Sequence, residues 1–212
     1  MLEIGCGAGR LTAYVSPLAS RYVGLDVSPH MVAYCQARFP KLEFMVRDMR
    51  DLGMLPEAAF RSVFAIANVI DAVDHADRLR VLAAIRRVLE PGGLFAFSSH
   101  NRAWEGFGAP PRLELTVRPL ALLRRGAEYA RARIRRRLAR RFEQHTRDYA
   151  VITDPGHDYG VLHYYIAPAI QARQLADQGF AMLDAFDANG GALNAHEDDR
   201  TSPSLLYVAR RV

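Results

Sequence analysis

A chain of 212 residues, half of them hydrophobic and 24% charged, has the length and balance of one globular domain with a sizeable core. No apolar run approaches the ~20 residues of a membrane span, and the N-terminal stretch MLEIGCGAGR lacks the basic and apolar regions of a signal peptide. Two cysteines, Cys6 and Cys35, make neither a disulfide framework nor a CxxC zinc site, so the expectation is a cytoplasmic protein with two reduced thiols and no metal.

The elements follow in order. Leu2-Glu3-Ile4 reads as the end of a buried strand stopping at Gly5. Leu11, Tyr14, Val15 and Leu18 recur at helical spacing. Arg21 to Leu25 is a second strand, closed by Asp26. Ser28-Pro29 starts a helix, with a capping hydroxyl and then proline at the first helical position; Met31, Val32, Cys35 and Phe39 lie on it and Pro40 ends it. Leu42 to Val46 and Val63 to Ala67 are strands three and four. His75 marks the start of a helix, as a surface or cap residue, and Leu79 to Leu89 carry its apolar face up to Pro91-Gly92-Gly93. Leu94 to Ser98 is strand five. Strands alternating with helices imply a parallel sheet covered on both faces.

After Asn101 the rhythm breaks. Leu120, Leu123, Ala127, Ala130, Ile134, Leu138 and Phe142 step by three or four, which predicts an amphipathic helix bent or interrupted near Gly126. Thr153 to Tyr165 reads as loop. Pro168 to Gln178 is a helix ended by Gly179, and Phe180 to Phe186 and Ser204 to Ala209 are the last strands. The net charge of +5 is uneven: residues 112–147 hold twelve arginines and three glutamates, +9, so the remainder carries −4.

The turn after the first strand, Glu3-x-Gly5-x-Gly7-x-Gly9, joins strand to helix where backbone must turn sharply and approach a ligand without Cβ atoms. That turn opens at the carboxyl edge of a parallel sheet, where ligands bind. Asp26, ending the next strand, is placed to accept from both hydroxyls of a ribose. The dinucleotide fingerprint GxGxxG needs glycine at position 10, which is Arg10, and this counts against a nicotinamide oxidoreductase. The acid Glu3 suits a ligand carrying an ammonium group better than a pyrophosphate.

LEIGCGAGR, GLDVS, VRDMRDL, ANVID and LEPGGLFAFSS, in that order, resemble the motif series of class I S-adenosylmethionine-dependent methyltransferases over roughly residues 1–100. The resemblance implies a seven-stranded, Rossmann-like, doubly wound α/β sheet, mostly parallel with an antiparallel last strand. It is N-terminally short, because the sequence begins inside the first strand where this fold usually has preceding helices. Residues 1–212 form a single domain on this reading, with an arginine-rich helical insertion at 102–165 after strand five. The resemblance also implies that Gly5, Gly7 and Gly9 line the methionine part of S-adenosylmethionine and that Glu3 orients this loop. Asp26 would hold the ribose hydroxyls, Val27 would pack on the adenine, and Asp48 would accept from its amino group with the Met49 backbone beside it. Asn68 would face the methionine end. As local features, Asp48 and Asn68 also read as loop caps.

Methyl transfer from a sulfonium needs mainly positioning and desolvation, and a base only where the acceptor loses a proton. His100 and His163 are the candidate catalytic residues, His100 because Ser98-Ser99-His100-Asn101 leaves the fifth strand on the active rim. The 120–142 helix has several readings: a lid over the acceptor, a dimer contact, a helix lying on an anionic membrane surface or meeting a lipid-like substrate, a nucleic-acid contact, or a solvated face. The expected function is methyl transfer to an oxygen or nitrogen of a small molecule. The alternatives are an RNA or protein methyltransferase and a non-catalytic cofactor-binding scaffold. Asn68-Val69-Ile70-Asp71 is not the Asn/Asp-Pro-Pro-Tyr/Phe motif of many enzymes that methylate exocyclic amines, which lowers the nucleic-acid case.

Overall fold

The computed structural model describes residues 1–113, 115–194 and 198–212. Glu114, counted in the basic segment, and part of the polar stretch before the last strand lie outside them. Along the chain run β1 (Leu2–Ile4), α1 (Thr12–Val15), β2 (Val23–Asp26), α2 (Pro29–Arg38), β3 (Glu43–Val46), β4 (Phe60–Ala65), α3 (His75–Val88) and β5 (Leu89–Asn101). The insertion contributes α4 (Pro119–Ala139), β6 (Gln144–His145), β7 (Tyr149–Thr153) and β8 (Leu162–Ile166). The chain closes with α5 (Pro168–Asp177), β9 (Phe180–Phe186), β10 (Ala192–Leu193) and β11 (Ser204–Arg211).

The strand order is β3-β2-β1-β4-β5-β11-β9-β10, parallel from β3 to β5, with β11 antiparallel to both its neighbours. The expected seven strands are present, and β10 and the ladder β6–β8 bring the sheet to eleven among the described residues. Strand order reverses beside β1, so the crevice at its carboxyl end lies at a topological switch point. Side chains alternate across β1. Leu2 and Ile4 enter a core with Val81, Leu82, Ile85 and Val88 of α3 and Leu175 of α5. Glu3 points the other way, toward the cluster of Cys6, Val15, Tyr22, Val32, Cys35 and Phe44 under α1 and α2. Ser28 caps α2 by accepting from the Met31 N–H, with Pro29 at the first helical position as its sequence indicates.

Several expectations are corrected. β4 starts at Phe60 and stops at Ala65, because Ala67 and Asn68 turn the chain through left-handed backbone with φ of 63° and 57°. Pro91-Gly92-Gly93 does not close α3; it lies inside β5, at an irregularity where Leu89 pairs with Phe60 and Leu94 with Ser62. α4 runs through Gly126 without interruption, its flanking alanines, leucines and arginines offsetting the glycine's cost of ~1 kcal/mol. The 153–165 segment is not simply loop. Thr153 ends β7, and Leu162–Ile166 forms β8, antiparallel to β7 and parallel to the end of β5 through His100↔Tyr165 and Asn101↔Ile166. His75 opens α3 as its position indicates and is half-buried there: its ring stacks 4.1 Å from that of Tyr149, and its Nδ1 lies 2.8 Å from the Tyr164 hydroxyl.

Candidate functional site

Two clefts open at the carboxyl edge, on either side of Gly5. The first, about 540 Å³, is lined by Gly5, Asp26, Val27, Asp48, Met49 and Val69 among others. The second, about 550 Å³, is lined by Glu3, Gly5, Gly7, Leu11, Tyr14 and Ile66 among others. Gly5 lines both, and only glycine fits there: its backbone is left-handed (φ 72°) and a Cβ would meet Val69 Cγ2 at 2.5 Å. Gly7 is also left-handed (φ 51°), and the space where its Cβ would stand is open. Gly9 does not face a cleft. Its Cβ position abuts the Phe39 ring at 2.5 Å and Cys35 Sγ at 3.2 Å, so this glycine seats the loop on α2.

The acids around this turn are already partly engaged. Asp26 accepts from the Gly7 N–H on Oδ2 and from the Ser28 N–H on Oδ1, both at 2.8 Å, which ties the end of β2 to the glycine loop. Asp48 accepts from Arg50 at 2.9 Å (backbone N–H) and 3.0 Å (Nε) on Oδ1, and at 2.7 Å (Nη2) on Oδ2. These hydrogen bonds hold its pKa below the ordinary carboxylate value. Arg50 also reaches Asp77 at 3.2 Å, and sequence reading did not single it out. Glu3 is buried; it accepts from the Thr12 hydroxyl at 2.8 Å and from the Tyr22 hydroxyl. Burial pushes its pKa up against the pull of those two donors. Glu3 therefore braces the loop from beneath. Val27 is 68% exposed, an apolar side chain offered to the first cleft.

Asn68 links this region to the histidines. Its N–H donates to Ser98 Oγ at 2.7 Å, and its Oδ1 is buried with no hydrogen-bond partner among the described residues. Three residues on, Asp71 is fully buried. Its Oδ2 lies 2.8 Å from His100 Nδ1 and accepts from the His100 backbone N–H at 2.6 Å, while its Oδ1 accepts from Ser99 at 2.9 Å and from Arg78. Arg78, equally buried, donates further to Gln174 at 3.0 Å, Gln171 at 2.7 Å, Ser99 at 3.1 Å and the Ile70 carbonyl at 3.2 Å. A carboxylate against Nδ1 places the proton there and leaves Nε2 as a lone pair, by the assignment that satisfies the network.

His163 is the other half of the cluster. Its ring centre is 5.0 Å from that of His100, and its Nδ1 lies 2.6 Å from Asp154 Oδ2, which also accepts from the Tyr165 hydroxyl at 3.1 Å. Burial raises the Asp154 pKa, but the hydrogen bond and charge of His163 outweigh it and bring it to about 2. One donor atom from each of His100, Asp154 and His163 lies within 4.8 Å of the others. A divalent ion would have to draw them closer, since its ligands sit ~2.0–2.2 Å from the metal; the His163–Asp154 hydrogen bond already satisfies that pair. His157 adjoins them, its ring 4.3 Å from His163. Sequence reading named His100 and His163 but gave no role to Asp71, Arg78 or Asp154. The one available signal was that Asp71 closes the ANVID motif on the active rim.

α4 roofs this end. Arg131 and Arg135 hold Asp158 at 3.1 and 2.6 Å, and Arg136 donates to the carbonyls of Ala109 and Gly108 at 2.9 and 2.8 Å. Asp158 and Tyr159 sit in left-handed backbone right after His157, so the helix grips the loop that carries this histidine.

Comparison with known proteins agrees with this layout. Residues 1–93 match a family described as a methyltransferase domain. A probable S-adenosylmethionine-dependent methyltransferase of Mycolicibacterium smegmatis is 34% identical over 103 residues, 48% of this chain and 38% of that protein. A ubiquinone biosynthesis O-methyltransferase of Cereibacter sphaeroides is 31% identical over 108 residues, 50% of this chain and 43% of that protein. The chain thus spans about two fifths of the length of the curated relatives it matches. The crystal structure of an S-adenosylmethionine-dependent methyltransferase from Mesorhizobium loti superposes with a TM-score of 0.64 at 21% identity, covering 99% of this chain and 89% of that one. Residues 1–93 thus match a methyltransferase-domain family in sequence, and the chain shares the fold of the Mesorhizobium loti structure along its whole length.

Proposed function

We propose that the chain catalyses methyl transfer from S-adenosylmethionine to a small molecule, and that the acceptor atom is an oxygen rather than a nitrogen. The observation that carries this reading is the pair of clefts meeting at Gly5, with the His100–His163 cluster joined to the first by the short Val69–Asp71 turn, whose Val69 lines that cleft and whose Asp71 holds His100. The residues present fit the cofactor. After accepting from Gly7 and Ser28, Asp26 keeps one lone pair on each oxygen, which suits two adjacent ribose hydroxyls. Val27 and Met49 offer apolar surface to the adenine, and Asp48 Oδ2 retains an acceptor site for its amino group. The Gly5–Gly7 turn gives the methionine part open space, and the unpartnered Oδ1 of Asn68 suits its ammonium.

The bound cofactor supplies a methyl carbon already activated by a sulfonium. The chain's part is to position the acceptor, exclude water and handle one proton. His100 Nε2, oriented through Asp71, accepts the proton of the acceptor hydroxyl, and His163 shares the same wall. Residues 102–165 act as a lid within the single domain 1–212. Cys6 and Cys35, both free thiols, suit a cytoplasmic setting. The C. sphaeroides relative, named for O-methylation in ubiquinone biosynthesis, supports a hydroxyl acceptor and a lipid-like one.

Calorimetric titration with S-adenosylmethionine and its demethylated product, followed by a screen of hydroxylated acceptors with radiolabelled cofactor, tests the reading. Asp26→Ala should weaken cofactor binding at least tenfold, since a hydrogen bond to a charged group contributes ~1.5–3 kcal/mol. His100→Ala should keep cofactor affinity and lose ~10²–10⁴ in turnover. A folded chain that binds neither compound would refute the assignment. Full turnover in His100→Ala would remove that residue from the chemistry and leave the cofactor reading standing.

A further inference from the structure

We propose that the outward face of α4 is a docking surface for an anionic lipid bilayer. The apolar residues spaced by three and four along this helix would ordinarily turn inward. Here they turn outward. The face that packs on the body carries Ala121, Tyr129, Ala132, Arg136 and Ala139, of which Ala132 is the buried residue. At about 100° per residue, the stripe of Leu120, Leu123, Ile134 and Leu138 falls on the opposite side. These four are 84%, 72%, 60% and 61% exposed, and Phe142 at the helix end is 57% exposed. The stripe continues the exposed Leu115 and Val117 of the preceding segment. At 1.5 Å per residue the helix offers a linear apolar edge roughly 30 Å long.

Charge decides the occupant. α4 holds seven arginines and one glutamate, and the 112–147 segment as a whole carries +9. Arg124 flanks one side of the stripe and Arg137 the other, the arrangement in which long cationic side chains reach headgroups while the apolar edge enters the acyl boundary. A second copy of the chain would set +9 against +9. A nucleic acid would meet the arginines and leave leucines, an isoleucine and a phenylalanine in water. An anionic bilayer satisfies both halves of the surface at once. Among the described residues no helix is long and apolar enough to cross a membrane, so α4 would lie in the interface plane.

The full chain is sedimented with vesicles of phosphatidylcholine alone and of equal parts phosphatidylcholine and phosphatidylglycerol. Binding to the mixed vesicles, falling as salt rises, with at least tenfold weaker binding to the neutral ones, is the expected result. Leu123→Ser/Ile134→Ser should lose roughly tenfold or more of it. Both side chains are exposed, so the variant should keep its circular dichroism and its cofactor titration, which separates this surface from the methyl-transfer reading. Arg124→Gln/Arg137→Gln should weaken binding to the mixed vesicles alone. Equal binding to both vesicle types, no vesicle binding, or full binding by the leucine–isoleucine variant overturns the proposal. A concentration-dependent dimer in light scattering that this variant abolishes would assign the stripe to a second copy and overturn it equally.

Discussion

Gly7 and Gly9 stand two residues apart with the same left-handed backbone, and their surroundings separate their roles. Beyond Gly7 is open space; beyond Gly9 are the Phe39 ring and the Cys35 sulfur. An alanine at position 7 costs left-handed strain alone, ~1–2 kcal/mol, which lowers the melting temperature by a few degrees in a chain of this size. It also puts a methyl group where the cofactor is proposed to lie. Gly7→Ala should therefore bind S-adenosylmethionine at least tenfold more weakly while remaining folded. Gly9→Ala adds steric overlap to the strain, roughly 2–5 kcal/mol together, and should lose stability first. Thermal melts beside calorimetry on both variants check this, and equal stability losses would refute the division. The glycine spacing alone places all three glycines on the ligand. It cannot separate them, because Phe39 and Cys35 arrive from the next helix.

At the level of elements, the parallel half of the sheet is legible because most of its strands are short apolar runs bounded by a glycine, an acid or a proline, and α2 and α3 carry the caps Ser28 and Asp74. Ser28-Pro29 and Gly179 behave as their local chemistry dictates, Gly179 closing α5 in left-handed backbone. The errors cluster where a tertiary partner decides. Leu162–Ile166 becomes a strand because the end of β5 and the edge of β7 supply its ladder, whereas locally Asp154-Pro155-Gly156 spells only a turn. The left-handed Ala67-Asn68 pair is invisible in composition, since alanine seldom adopts that backbone, and the strain sits where the two clefts meet the histidines. α4 shows the converse. Its periodicity was read correctly, but periodicity reports a stripe and says nothing of the side the protein occupies.

At the scale of the whole molecule, the buried Asp71–Arg78 pair ties sheet and helices together and meets the insertion at Tyr164, beside the β5–β8 ladder. Arg78 on α3 reaches Asp71 after β4, Ser99 on β5, and Gln171 and Gln174 on α5, and its guanidinium lies 4.4 Å from the centre of the Tyr164 ring on β8. The sequence offered no sign of this: an arginine in an amphipathic helix reads as solvent-facing, and its partners are up to 96 residues away. Because the network spans both the sheet and the insertion, the two should unfold together. Arg78→Met leaves the buried Asp71 carboxylate without its guanidinium, held by Ser99 and His100 alone, at a cost of ~3–5 kcal/mol, or roughly 6–20 °C in melting temperature. Adding Asp71→Asn removes that stranded charge, so the double variant should recover part of the loss, which a double-mutant cycle reads directly. In the parent chain, near-ultraviolet dichroism from Tyr149, Tyr164 and Tyr165 in the insertion should vanish at the same temperature as the far-ultraviolet signal of the sheet and helices. Two separated transitions, with the tyrosine signal lost first, would mean that the insertion is an independent unit. The Asp71–His100 pair, which lies outside the insertion, would then outlast the Asp154–His163 pair within it.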